Sequence, residues 1–206
     1  MPAPYQLVIG TTNPAKLREL SELLTPHGFA VKTLADFAAP LTVEEDGDTF
    51  AANARKKAIE QARYLNAWVL ADDSGIEVAA LDGRPGVYSA RYAGEHATDA
   101  DNNTRLLAEL GDLPPARRGA RYVCHVAVAN PAGEVLAESA ATCSGRIVFE
   151  PAGSNGFGYD PLFEVIEYHR TFGQLGPRVK AAISHRGRAL RMIVPKLIRL
   201  ARDGAW

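Results

Sequence analysis

Cysteine, tryptophan and methionine each occur only twice among the 206 residues. Two thiols, Cys124 and Cys143, are too few for a disulfide framework and suit a reducing compartment. No stretch approaches the ~18 uninterrupted apolar residues of a membrane span. The opening MPAPYQLVIG has neither the basic start nor the apolar core of a signal peptide. These absences point to a cytoplasmic protein with no membrane partner. Net charge is nearly lacking as well, at −1, which argues against a general nucleic-acid binder. Repeats and low-complexity tracts are missing. What remains, 47% hydrophobic and 23% charged residues, is the balance of a folded globular chain rather than a disordered one. The length suits a single domain over 1–206, with two lobes.

The charge that is present is sorted. From Tyr168 to Arg202 there is no acidic residue but nine cations, which leaves 14 cations against 24 anions in the rest. Acidic groups bunch at Glu44-Glu45-Asp46-Gly47-Asp48 and at Asp72-Asp73. A chain with an acidic and a basic zone can hold a metal cation beside a polyanion; a plain solvated basic helix is the simpler alternative.

Residues 5–10 read as a buried strand. Asn13 is a good N-cap and Pro14 a good first helical residue, so a helix is expected from there to about residue 25. A second helix is expected over about 48–66, with Ala51, Ala54, Ala58, Ala62 and Leu65 on one narrow stripe. A strand over 67–71 should run directly into Asp72-Asp73-Ser74-Gly75. Residues 81–94 carry turn-formers and read as an ordered loop. Thr98 and Asp101 form a capping box for a helix that Gly111 ends. Strands near 120–129 and 134–143 form a hairpin around Asn130-Pro131-Ala132-Gly133, and 153–163 is a glycine-rich loop. A final helix over about 187–202 contains Pro195, where a kink or restart is expected. Strands alternating with helices, plus a hairpin, predict an α/β fold with a mixed sheet.

Four groups could carry chemistry. Thr11-Thr12-Asn13-Pro14-Ala15-Lys16 joins a strand to a helix N-terminus, where free N–H groups, two hydroxyls and an ammonium suit a phosphate. It lacks the glycines of a Walker A loop. Asp72, Asp73, Glu44 and Glu45 are the carboxylates for a Mg2+ ion that shares phosphate oxygens. Phe157-Gly158-Tyr159-Asp160 offers two aromatic rings that can stack on a base. Lys180 with Ser184-His185-Arg186-Gly187 supplies donors for a phosphate or a base carbonyl. The histidines show no zinc spacing.

TTNPAK-x-REL, TF-x-x-NA-x-x-KA, ADDSG, GRPGVYSARYAG, EPAGSNGFGYDPLF and K-x-x-ISHRG-x-AL occur in this order between Leu7 and Leu197. Taken together they resemble the inosine/xanthosine triphosphate pyrophosphatases. The resemblance implies an elongated mixed β-sheet flanked by helices, with two lobes and a central substrate cleft. It also implies a homodimer and Mg2+-dependent hydrolysis of dITP, ITP and XTP to the monophosphate and pyrophosphate. By the same resemblance, Thr11 to Lys16 bind the triphosphate, Asp73 accepts a proton and ligates the metal, and Ser74 touches substrate. Glu44, favoured over Glu45 by its spacing to Gly47, is the second metal carboxylate. Phe157, Gly158, Tyr159, Asp160, Lys180, His185 and Arg186 bind the nucleotide. Arg186 can donate to a 6-keto oxygen, and Asp160 can accept from N1–H, which adenine lacks. Two residues depart from the family pattern: Thr12 replaces a usual glycine, and Gln174 a usual acid. A related pyrophosphatase acting on other modified nucleotides is the alternative enzyme, and a nucleotide sensor or a nucleic-acid binder the alternative class.

Overall fold

The computed structural model describes residues 5–11 and 14–206, without side chains at 14–16, 18 and 19. The apolar run at the start forms strand β1 (Tyr5–Ile9), and helix α1 (Pro14–Leu24) returns the chain to β2 (Phe29–Thr33), parallel to β1. Parallel neighbours need such a crossover. Helix α2 (Phe50–Leu65) starts at Thr49, whose hydroxyl accepts the Ala52 N–H. It leads to β3 (Val69–Val78), which also pairs parallel to β1. Helix α3 (Asp99–Leu110) opens on the expected Thr98–Asp101 capping box and ends at Gly111. Strands β4 (Gly119–Ala129) and β5 (Val135–Ile147) flank the turn at Asn130–Gly133. Two short antiparallel strands follow, β6 (Phe163–Val165) and β7 (Arg170–Thr171), and then helices α4 (Pro177–Ile183) and α5 (His185–Arg202). The sheet has seven strands in the order β2-β1-β3-β4-β5-β6-β7 and is mixed, as predicted.

Two expectations need correction. The strand before Asp72 does not stop there: β3 continues through Asp72-Asp73-Ser74-Gly75 to Val78. Nor does the last helix restart at Pro195: it runs as one element from His185 to Arg202. Pro195 lies on the exposed face, where water can satisfy the carbonyl that its missing N–H leaves unbonded.

The chain divides into two compact units. The first runs to Asp73 and adds His125–Ala140 and the segment from Arg188 onward. Its core packs Ala54, Ala58 and Ala62 of α2, none of them exposed, against Val69, Ala71, Ala127 and Ala129. At its edge the Trp206 ring stacks on Trp68 with centroids 4.1 Å apart, and its indole N–H donates to the Gln6 carbonyl. The second unit comprises Ser74–Cys124 and Ala141–Gly187, with a larger-residue core around Leu106, Tyr122, Ile147, Phe163 and Phe172. Among the described residues no helix is long and apolar enough to cross a membrane.

Candidate functional site

In the first unit the turn after β1 is tight. The Gly10 N–H donates to the Leu70 carbonyl at 2.8 Å, and that of Thr11 to Ile9 at 2.7 Å. A Cβ on Gly10 would fall 2.2 Å from Oε1 of Gln61 and 3.1 Å from the Ala71 Cβ, so a larger residue there would have to displace the Gln61 side chain. Pro14 is the first residue of α1, as predicted. Of the proposed triphosphate turn, Thr12 and Asn13 lie outside the described residues, as do the side chains of Pro14, Ala15 and Lys16.

Asp73 stands on β3 with its side chain only 9% exposed. Two residues one turn apart on α2 hold it. Lys57 Nζ lies 3.0 Å from Asp73 Oδ1 and 2.9 Å from Glu45 Oε1, and the Asn53 amide donates to Asp73 Oδ2 at 3.3 Å. Asn53 also accepts the Gly47 N–H at 2.8 Å, which folds the acidic loop over α2. The carboxylate that Lys57 ties to Asp73 is therefore Glu45, whereas Glu44, the one its spacing favoured, is exposed and acts on Lys56. Burial raises the Asp73 carboxyl above its ordinary range, opposed by the Lys57 ammonium and reinforced by Glu45. Burial draws Lys57 down, but the charges of Asp73, Glu45 and Asp72 outweigh it and hold the ammonium above its usual value.

The second unit contains a cavity of about 140 Å3, close to the roughly 150 Å3 that takes a single benzene ring. Ser74, Ala90, Phe157, Tyr159 and Arg186 are among its walls. Asp160, 2% exposed, accepts from Lys180 Nζ and, at 2.8 Å, from the Phe157 N–H. Tyr122 donates to its other oxygen at 3.4 Å and stacks on the His185 ring, 4.5 Å away and nearly parallel. A Cβ on Gly156, whose φ is +82°, would meet Asp160 Oδ2 at 1.9 Å, so this loop demands glycine. Arg186 donates to the Ser74 hydroxyl at 3.3 Å. Both Lys180 and Arg186 lie over the Phe157 ring, at 4.7 and 5.5 Å.

The two aromatics of the FGYD segment divide their roles. Phe157 is 44% exposed and presents a face, while Tyr159 is buried and spends its hydroxyl on the Ser89 carbonyl at 2.8 Å. Asp160, expected to accept from a base, is engaged by Lys180, the Phe157 amide and Tyr122. Lys180, expected also to neutralise phosphate, is held by Asp160 and the Phe157 ring. Gln174 caps the turn at Thr171, its side-chain oxygen accepting the Thr171 N–H at 3.0 Å. An acid could accept that bond equally well. Sequence reasoning missed Asn53, Lys57 and Tyr122. The first two stand in TF-x-x-NA-x-x-KA at helical i,i+4 spacing, a signal that the alanine stripe overshadowed.

The sequence profile described as the Ham1 family matches residues 7–196. A dITP/XTP pyrophosphatase of Rhodopirellula baltica is 51% identical over 201 residues, covering 98% of this chain and 97% of its own. One of Desulforamulus reducens is 48% identical over 195 residues, covering 95% and 96%. Among solved structures, a HAM1 protein from Coxiella burnetii superposes with a TM-score of 0.88 at 39% identity over 95% of this chain and 99% of its own. The Staphylococcus aureus Ham1 protein gives 0.85 at 38% identity over 93% and 97%. Agreement of profile, sequence and fold over nearly the whole length bears out the resemblance: the chain belongs to the Ham1 family.

Proposed function

We propose that this chain hydrolyses deaminated purine nucleoside triphosphates, dITP, ITP and XTP, to the monophosphate and pyrophosphate, and so clears them from the nucleotide pool of the cytoplasm. The observation that carries this reading is the cavity of the second unit. It pairs the open Phe157 face with the buried donor Arg186, in a chain whose relatives are named dITP/XTP pyrophosphatases. A 6-keto oxygen accepts from Arg186, whereas the 6-amino group of adenine meets it donor to donor. Unpaired buried donors discriminate strongly, by roughly 10⁴ in favourable cases.

The phosphate chemistry falls to the Asp73 group. Its donors are hard oxygens, and three carboxylates (Asp73, Glu45 and Asp72) act on the one Lys57 ammonium, an excess of negative charge that fits a small divalent cation. Among the described residues no three His, Cys, Asp or Glu side chains converge to hold an ion unaided. That suits magnesium, which takes one or two carboxylates and completes its shell with water and substrate phosphates. Asp73 and Glu45 would hold it, and when bound it supplies positive charge to the phosphate oxygens. Lys57 on Oδ1 and Asn53 on Oδ2 fix the Asp73 carboxylate, which takes a proton from the water attacking the α-phosphorus as pyrophosphate departs. A raised carboxyl is the better proton acceptor for this step. The Thr11–Lys16 turn receives the phosphates in this reading, and the active species is a homodimer.

Pyrophosphate release across ITP, XTP, dITP, ATP and GTP, with and without Mg2+, tests the proposal. Release confined to the first three and dependent on Mg2+ supports it. Orthophosphate as the product, or no hydrolysis of ITP, overturns it.

A further inference from the structure

Two loop segments wall the cavity of the second unit, one around Ser89-Ala90 and one at Phe157–Asp160, and Asp99 lines it beside them. Loops hold a recognition geometry only where their backbone polar groups are tied to something rigid. Here the rigid element is α3. In its first turn Asp99 accepts the Gly158 N–H at 2.6 Å, and one turn later the Asn103 amide donates to the Gly158 carbonyl at 3.0 Å. Both peptide groups flanking the Gly158 Cα are thereby fixed, at a residue whose φ of +60° lies in the region where glycine is least constrained. The neighbouring Asn102, 3% exposed, does the same for the other segment: it accepts the Ala93 N–H at 2.7 Å and donates to the Ala90 carbonyl at 3.1 Å.

The composition of α3 makes this arrangement conspicuous. Asparagine is a poor interior residue for a helix, because its side chain competes for backbone hydrogen bonds. Two occur in succession here, and Asn103 Oδ1 is buried with no hydrogen-bond partner among the described residues, a further cost. Local preference is violated where side chains serve something beyond the helix.

We propose that Asp99 and Asn103 are positioning residues for base selection: by clamping the Gly158 peptide they hold the Phe157 ring and the Asp160 carboxylate in the arrangement that distinguishes one purine from another. This rests on the reading that the cavity receives the base of a nucleoside triphosphate. Variants of the full chain separate a clamp from general structural support. Asn103→Leu keeps the size and removes the donor, Asp99→Ala removes the acceptor, and Asp99→Asn keeps an oxygen that can accept the Gly158 N–H. The readouts are kcat and KM for ITP and for ATP, with thermal midpoints alongside.

The expected result is a rise of about tenfold in KM for ITP in Asn103→Leu and in Asp99→Ala, the scale of one lost hydrogen bond. The kcat should change far less, and the ITP-over-ATP ratio of kcat/KM should fall by a similar factor. Asp99→Asn should restore the ratio. A ratio unmoved in Asp99→Ala overturns the clamp, even if activity toward both substrates falls together, since loss of folded enzyme lowers both alike. Should Asn103→Leu fail to fold, the Asp99 pair decides alone, because Asp99 is exposed. A wild-type enzyme indifferent between ITP and ATP overturns the base-pocket reading itself, and the clamp with it. That outcome is distinct from a selective wild type whose variants stay selective.

Discussion

Lys57 shows how much one side chain can decide. Among the described residues its ammonium bonds both Asp73 and Glu45, and it opposes the burial that raises the Asp73 carboxyl. Replacing it by methionine removes that opposition, so Asp73 must hold its proton to higher pH. A base works only after losing its proton, so the acid limb of the kcat/KM profile should move toward higher pH in Lys57→Met, with activity at neutral pH down by about tenfold or more. Asp73→Asn, which cannot titrate at all, should lose on the order of 10²-fold in kcat and lose the limb itself. An acid limb that stays in place in Lys57→Met would show that another group sets it. The role proposed for Asp73 rests on the resemblance of ADDSG to the family pattern. That of Lys57 was not legible, because a lysine on a helix is ordinarily a solvated charge, and only the fold shows that this one is turned inward.

At the scale of elements, the alanine stripe of α2 was legible because small residues at helical spacing have one plain use, close packing. Ala58 is fully buried among Ala54, Ala62 and the strands beneath. Ala58→Leu should therefore overpack the first unit and cost about 1–3 kcal/mol. Thermal denaturation should show a midpoint lower by several degrees, at about 2–4 °C per kcal/mol for a chain of this size. The continuation of β3 was not legible, because two aspartates read as the end of a buried strand. Asp73 is tolerated inside it because Lys57 and Asn53 satisfy its carboxylate. Strands β6 and β7, of three and two residues, are too short for alternation to register. Strand β2 alternates poorly because its middle residues are only half covered. The capping boxes at Thr98 and Thr171 obey the same reciprocal rule, but only the first precedes a helix long enough to be noticed.

At the scale of the whole molecule, each unit is assembled from separated stretches of chain. The α2 face of the first unit is covered partly by Ala127 and Ala129 of β4, and Ser139 of β5 donates to the Ala189 carbonyl of α5 at 2.8 Å. A fragment spanning residues 1–73 lacks all of these partners. Expressed alone it should show no cooperative thermal transition and fast amide exchange throughout, whereas the whole chain should melt cooperatively. A cooperative melt of that fragment would show that β1, β2 and α2 close a core by themselves.

The same interleaving has a consequence for synthesis. The apolar strand at the front of the chain leaves the ribosome long before the segment that begins at Arg188 can reach it. At about 5–20 residues per second the wait is on the order of ten seconds. During that interval β1 waits for the partners that bond Tyr5 and Gln6, the Ala201 carbonyl and the Trp206 indole, so nascent chains stalled short of Arg188 should be the ones that chaperones retain.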